Sequence, residues 1–137
     1  MTLQEVIDNL RSLVKESPRT TNEDTRIGLY IELKDYSHHL TTTGHDMAQM
    51  THDLLTKNDL ESVDLATDDI PIVIISFDEK AIEKYASLSD LPLIQLAAYK
   101  DSLHTYDWHK ISEIAHGVGP NSQWVFHPFH LLNSKTE

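Results

Sequence analysis

The sequence predicts an α/β fold, made of the central and C-terminal βα units of a partial (β/α)8 TIM barrel. Amphipathic helical segments alternate with short apolar segments along the chain, as in parallel strands joined by helices. The apolar segments 70–77 and 93–98 show no polar alternation, which is typical of strands buried on both faces. The Gly-rich turn of a dinucleotide-binding sheet is absent after the first predicted strand. Because a complete barrel needs roughly 250 residues, this chain of 137 corresponds to about half of one.

The first half of the chain predicts two helices with one strand between them. Residues 3–15 carry apolar side chains at helical spacing, and Thr2 with Glu5 forms a capping-box pattern at their start. Residues 27–34 are predicted as a strand, and the Thr-rich run that follows and ends at Gly44 as a loop. Asp46 then predicts the start of the second helix, because a carboxylate at this position caps free backbone N–H groups.

The second half repeats the pattern of strand and helix. After the apolar strand 70–77, Asp78 predicts the cap of a helix with one apolar stripe. The strand over 93–98 is followed by a predicted helix over 108–115 and a short strand that ends in a Gly-rich turn. The residues after this turn are rich in aromatic and aliphatic side chains, which indicates that they pack against a partner surface.

Composition narrows the class of partner. The net charge of −11 argues against nucleic acid and anionic membrane, because both repel an acidic surface. No apolar run approaches the roughly 20 residues of a membrane span, so we expect a soluble chain with no transmembrane segment. We also expect no signal peptide in this segment, since no charged leader precedes an apolar run. Without cysteine, disulfides and thiolate metal sites are excluded.

Glu32 and Lys34 at the end of the first predicted strand are the strongest candidates for chemistry. Side chains alternate along a strand, so both charges lie on one face while their apolar neighbours point the other way. A structural ion pair and a functional site are equally weighted interpretations. As a site, Lys34 is either a Schiff-base nucleophile, which a neighbouring carboxylate disfavours, or the contact for an anionic group beside a hard cation held by Glu32. The second role fits the charges better.

Four further residues are predicted to line the same site and contact substrate. His38 and His39 follow the first strand, in what would be the mouth of a barrel, although loop histidines are common. Phe77 and Gln95 close the next two strands, where barrel enzymes carry their pocket residues. Phe77 is alternatively a core aromatic, whereas a buried Gln95 needs a hydrogen-bond partner.

Five short segments, in order along nearly the whole chain, resemble the glycerophosphodiester phosphodiesterase family. That family carries T-L-E-E-V, E-I-K, S-F-D, an l-x-Q-L strand and G-x-G-P. The segments here are Thr2-Leu3-Gln4-Glu5-Val6, Glu32-Leu33-Lys34, Ser76-Phe77-Asp78, Ile94-Gln95-Leu96 and Gly117-Val118-Gly119-Pro120. The resemblance implies that residues 1–137 are part of a barrel that hydrolyses glycerophosphodiesters to sn-glycerol 3-phosphate and an alcohol. It also implies a divalent cation, Ca²⁺ or Mg²⁺.

By position, the resemblance makes Glu32 a metal-binding carboxylate and Lys34 the amine beside the substrate phosphate. The H-R-G, E-x-D and H-D motifs of the family are missing, and His45-Asp46 follows the E-x-K strand instead of preceding it. The two missing histidines are the family's general acid and base, so we expect the full-length protein to be the enzyme and this chain alone to be inactive. We also expect its free strand edges to favour association.

Two alternatives remain open within the same fold. One is a related barrel that cleaves phospholipids, and the other is a non-catalytic barrel or binding module that has lost the chemistry. Intact or degenerate catalytic motifs in the full-length protein would separate an enzyme from a binding module. By resemblance, we expect a secreted or periplasmic protein.

Overall fold

The computed structural model describes residues 1–16, 27–61, 70–98 and 105–121, which form helices and parallel strands in alternation. None of the helices in these ranges is long and apolar enough to cross a membrane. In chain order the elements are α1 (Leu3–Glu16), β1 (Leu29–Glu32), α2 (Tyr36–Thr43), α3 (Met47–Lys57), β2 (Ile72–Ser76), α4 (Glu79–Ala86), β3 (Leu93–Ala97), α5 (Trp108–Ile114) and β4 (Gly117–Pro120).

The four strands form one parallel sheet in which the spatial order is the order along the chain, β1-β2-β3-β4. Glu32 pairs with Ile75 across the first two strands, and Leu96 pairs with Gly119 across the last two. The predicted α/β class with a parallel sheet is therefore confirmed. The strand order contains no reversal.

One face of the sheet is covered by helices and the other is partly open. Alternate residues of β2 and β3 are buried against the helices, and this core includes Ile74, Leu93, Ile82 and Tyr85. The residues between them on the opposite face are only partly buried: Val73, Ile75, Ile94 and Leu96. Burial on both faces, which the unbroken apolar runs predicted, is thus wrong for the described residues, because no described element covers this face.

Local caps place the helices where the sequence predicts them. Thr2 and Glu5 exchange hydrogen bonds at the start of α1, with the Thr2 N–H 2.6 Å from Oε2 of Glu5. Asp46 accepts the N–H of Gln49 at the start of α3, and Asp78 accepts that of Lys80 at the start of α4. Each cap satisfies a backbone donor that the helix itself leaves free.

Helix α2 replaces the loop that the sequence predicts after β1. Its N-cap residue, Asp35, has a φ of 49° and makes no side-chain cap, so the local signal for a helix start is absent. The side chain of Asp78, 41 residues away, accepts the N–H of Ser37 at 2.7 Å instead. The hydroxyl groups of Thr41, Thr42 and Thr43 donate to carbonyl groups one turn earlier, and the helix ends at Gly44 with a φ of 72°. The loop prediction is wrong because a contact distant in sequence starts this helix.

Candidate functional site

The carboxyl end of β1 presents Glu32 and Lys34 to solvent. Both side chains are exposed. Ile31, which precedes Glu32, and Leu33, which lies between the two charged residues, are buried against the helices. Within the described ranges, neither the carboxylate of Glu32 nor the ammonium of Lys34 forms a hydrogen bond or an ion pair. The two charges therefore do not pair with each other, and both side chains are exposed to solvent.

The register of the sheet arranges the open face in two rows at its carboxyl end. Glu32 pairs with Ile75, which pairs with Ile94, which pairs with Gly117. In the second row Leu96 pairs with Gly119, and Phe77 and Lys34 lie just beyond the carboxyl ends of β2 and β1. The charged side chains at this edge therefore lie at or just beyond the end of β1, and the described open face becomes apolar towards β4.

Phe77 lies on the open face and is 44% exposed, so it is a surface aromatic here and not part of the core. Its backbone carbonyl group is held from two sides. The hydroxyl group of Tyr106 donates to the carbonyl oxygens of Phe77 and Leu96 at 3.2 and 3.3 Å, and the side-chain amide of Gln95 donates to the same two oxygens. These contacts join the ends of β2 and β3 and fix the position from which the Phe77 ring projects.

Gln95 lies on the helix-covered face, because it pairs with Ser76 and both are fully buried. Its Nε2 donates to the carbonyl oxygens of Ser76, Phe77 and Leu96 at 3.0 to 3.2 Å, whereas its Oε1 has no hydrogen-bond partner in the described part of the chain. The sheet therefore separates this side chain from Glu32 and Lys34. A direct substrate contact by Gln95 remains a prediction, and its visible role is to position the strand ends.

The two histidines lie in the first turn of α2, just beyond β1. His38 is exposed and His39 is half-buried, and their rings meet edge to face with centroids 5.8 Å apart. They are on a helix and not on the predicted loop, although they remain at the same edge of the sheet as Glu32 and Lys34. Neither imidazole forms a hydrogen bond or an ion pair with those two side chains.

Asp78 connects the helices and strands at this edge of the sheet through hydrogen bonds. Its Oδ1 accepts the N–H of Lys80 and its Oδ2 accepts that of Ser37, so one carboxylate caps the starts of both α4 and α2. Its own N–H donates to Oγ of Ser76, and that hydroxyl group donates to the carbonyl oxygen of Leu33 at 2.7 Å. Both carboxylate oxygens accept backbone N–H groups, so Asp78 acts as a positioning residue at the site.

A second polar cluster, which the sequence did not predict, contains His52, Glu61, Tyr85 and Ser89. Tyr85 donates to Glu61 Oε1 at 2.8 Å and Ser89 donates to Oε2. His52 Nδ1 lies 3.1 Å from Oε1 without the alignment of a hydrogen bond. Burial, followed by the hydrogen bond to Glu61, raises the pKa of Tyr85 above its ordinary value near 10. No sequence motif links these residues, since the fold brings them together from separate segments of the chain.

A divalent cation needs more ligands than these residues supply. Ca²⁺ takes six to eight oxygen ligands and Mg²⁺ takes six. In the four described ranges, no three carboxylate or imidazole side chains lie close enough together to hold a metal ion. Glu32 therefore provides one ligand at most, and the described residues do not form a metal centre on their own.

Comparison with known proteins adds no assignment. No family model matches the chain, and no curated protein matches it in sequence. Any functional conclusion must therefore rest on the residues and their arrangement.

Proposed function

We propose that this chain is part of a metal-dependent phosphodiesterase barrel that hydrolyses glycerophosphodiesters to sn-glycerol 3-phosphate and an alcohol. The observation that carries the proposal is the position of Glu32 and Lys34, exposed on the open face at the carboxyl end of a parallel strand. Barrel enzymes place their catalytic groups at this end of the strands. The five segments that resemble the phosphodiesterase family include this pair.

The topology supports the barrel. Connections between parallel strands are almost always right-handed, so strands added in one direction carry their helices on one face. An open doubly wound sheet reverses its strand order and has helices on both faces. The order β1-β2-β3-β4, with one face covered, agrees with four consecutive units of a barrel whose interior is the open face.

The chemistry of the pair supports a phosphodiester substrate. The Lys34 ammonium can donate hydrogen bonds to phosphate oxygens, and it would stabilise the negative charge that develops on them during hydrolysis. Its freedom from an ion pair with any described residue leaves it able to do so. Glu32 would contribute one carboxylate to a metal site whose other ligands lie outside the described residues. The proposal therefore assigns no reaction step to the metal.

A non-catalytic barrel or binding module is the second candidate. It is favoured by the absence of a three-ligand cluster in the described ranges, since such a module needs no metal centre. Both candidates keep Lys34 as the contact for an anion. They differ in whether the bound phosphodiester is cleaved.

The test uses the natural protein in its full length, with glycerophosphodiester hydrolysis followed at several metal concentrations. Glu32→Gln should lower the activity and raise the metal concentration needed for half of it, because a neutral amide cannot replace an anionic ligand. Lys34→Met should lower kcat by about 100-fold, the usual cost of one lost charge-stabilising donor. Glu113→Gln, at an exposed position on α5, is the matched control. Unchanged activity and unchanged metal response in Glu32→Gln would contradict the metal assignment, whereas binding without cleavage in the wild type would support the module.

A further inference from the structure

A small pocket opens at the carboxyl ends of β3 and β4, at the same edge of the sheet as Lys34. Its volume is about 210 Å³, less than the roughly 300–1,000 Å³ of pockets that hold a whole ligand. It therefore has room for one substituent of a larger molecule. We call it the β3–β4 pocket, and its lining is Phe77, Leu96, Ala97, Ala98, Gly119, Pro120 and Asn121.

Among the residues that the structure describes, the lining contains no ionisable side chain. Its polar groups are the Asn121 amide and the backbone, and the rest of the lining is aliphatic or aromatic. Lys34 follows β1 as Phe77 follows β2, the neighbouring strand, and it is a cation at the same edge of the sheet. Neighbouring strands lie about 4.8 Å apart and β1 pairs with β2, so a group esterified to a phosphate at Lys34 extends along this edge towards Phe77.

Gly119 keeps the pocket open. A Cβ atom at this position would lie 2.6 Å from Cδ2 of Leu96, closer than side chains approach one another. An alanine would therefore occupy the space itself and displace the Leu96 side chain. At Gly117, two residues earlier on the same strand and outside the pocket, the corresponding distance to Ile94 Cδ1 is 3.1 Å.

From this juxtaposition we infer that the β3–β4 pocket is an apolar subsite that binds an uncharged, hydrocarbon-like alcohol group of a phosphodiester whose phosphate contacts Lys34. A charged alcohol would lose its hydration there without gaining a counter-ion, which is costly. An alkyl or aromatic group would bury its surface against Phe77 and Leu96 at no such cost. The inference rests on the proposed function, because it takes the phosphate contact of Lys34 from it.

The experiment titrates the 137-residue chain with n-butyl phosphate, glycerol 3-phosphate and n-butanol, and follows backbone amide shifts by NMR. We expect n-butyl phosphate to bind about tenfold more tightly than glycerol 3-phosphate, since two buried methylene groups contribute about this factor. Gly119→Ala should abolish the preference and Gly117→Ala should keep it. Lys34→Met should weaken the binding of both phosphates and leave the binding of n-butanol unchanged.

The possible results separate this inference from the proposed function. Equal affinities for the two phosphates, or a preference that survives in Gly119→Ala, overturns the subsite. No amide shift at Phe77 and Gly119 with any probe also overturns it. If only n-butanol shifts these amides, and Gly119→Ala removes the shifts, the apolar pocket is supported. The same result overturns the phosphate contact of Lys34, and with it the proposed function.

Discussion

The carboxylate of Asp78 offers the sharpest test of how the site is built, because it caps two helices at once. In Asp78→Ala, both the N–H of Lys80 and the N–H of Ser37 lose their acceptor. Loss of an N-cap costs about 1 kcal/mol. Loss of a second hydrogen bond to a charged group costs about 1.5 kcal/mol. We therefore expect the free energy of unfolding to fall by about 2.5 kcal/mol, a large part of the roughly 5–15 kcal/mol of a typical domain.

Two further variants show how much of this loss of stability comes from each hydrogen bond. Asp107 caps only α5, through the N–H of Lys110, so Asp107→Ala should cost about 1 kcal/mol. Asp78→Asn keeps one acceptor oxygen and loses the other, so it should fall between the two alanine variants at about 1.5 kcal/mol. Urea denaturation followed by tryptophan fluorescence measures all three.

Hydrogen exchange localises the effect. The N–H of Ser37 should exchange faster with solvent in Asp78→Ala than in Asp107→Ala, because only the former removes its acceptor. If Asp78→Ala costs no more than Asp107→Ala, or if the exchange of Ser37 is unchanged, Asp78 does not hold α2 and the account of that helix is wrong.

Two further predictions concern Tyr85 and Gly44. Folding raises the pKa of Tyr85, so the unfolded chain ionises first above pH 10 and stability falls there, by about 1.4 kcal/mol at pH 11. Tyr85→Phe should cost about 1 kcal/mol at pH 8 by losing its bond to Glu61. That deficit should disappear by pH 11 in urea titrations, and a constant deficit would contradict the raised pKa. Gly44→Ala should destabilise by about 1 kcal/mol and Gly44→Asn by less, because asparagine tolerates a positive φ; equal costs in thermal unfolding would refute the backbone explanation.

Most elements of the fold were predictable because their signals are local. Three features depend only on neighbours within a few residues: the helix cap at Asp46, the capping box of Thr2 and Glu5, and the apolar strand segments. Helix α2 was missed since threonine and histidine are weak helix formers and its stabilising acceptor, Asp78, lies far along the chain. Strand periodicity also gave no sign that one face of the sheet stays partly open.

The candidate site was also predictable only in part from the sequence. Alternation along β1 places Glu32 and Lys34 on one face, and their exposure agrees with it. Gln95 lies in the middle of β3 and does not close it as predicted, and its register with Ser76 places it on the covered face. The cluster around Glu61 escaped prediction because its members come from three separate parts of the chain.

The sequence by itself determined the alternation of helices and strands, the parallel class of the sheet and the face that carries Glu32 and Lys34. These follow from the repeat of each element and from local capping, which short segments encode. Only the tertiary structure decided that Lys34 and Phe77 follow the ends of neighbouring strands, that Gln95 faces the helices, and that one carboxylate starts both α2 and α4. Strand register and contacts between distant residues set these relations, because they depend on how the elements pack together.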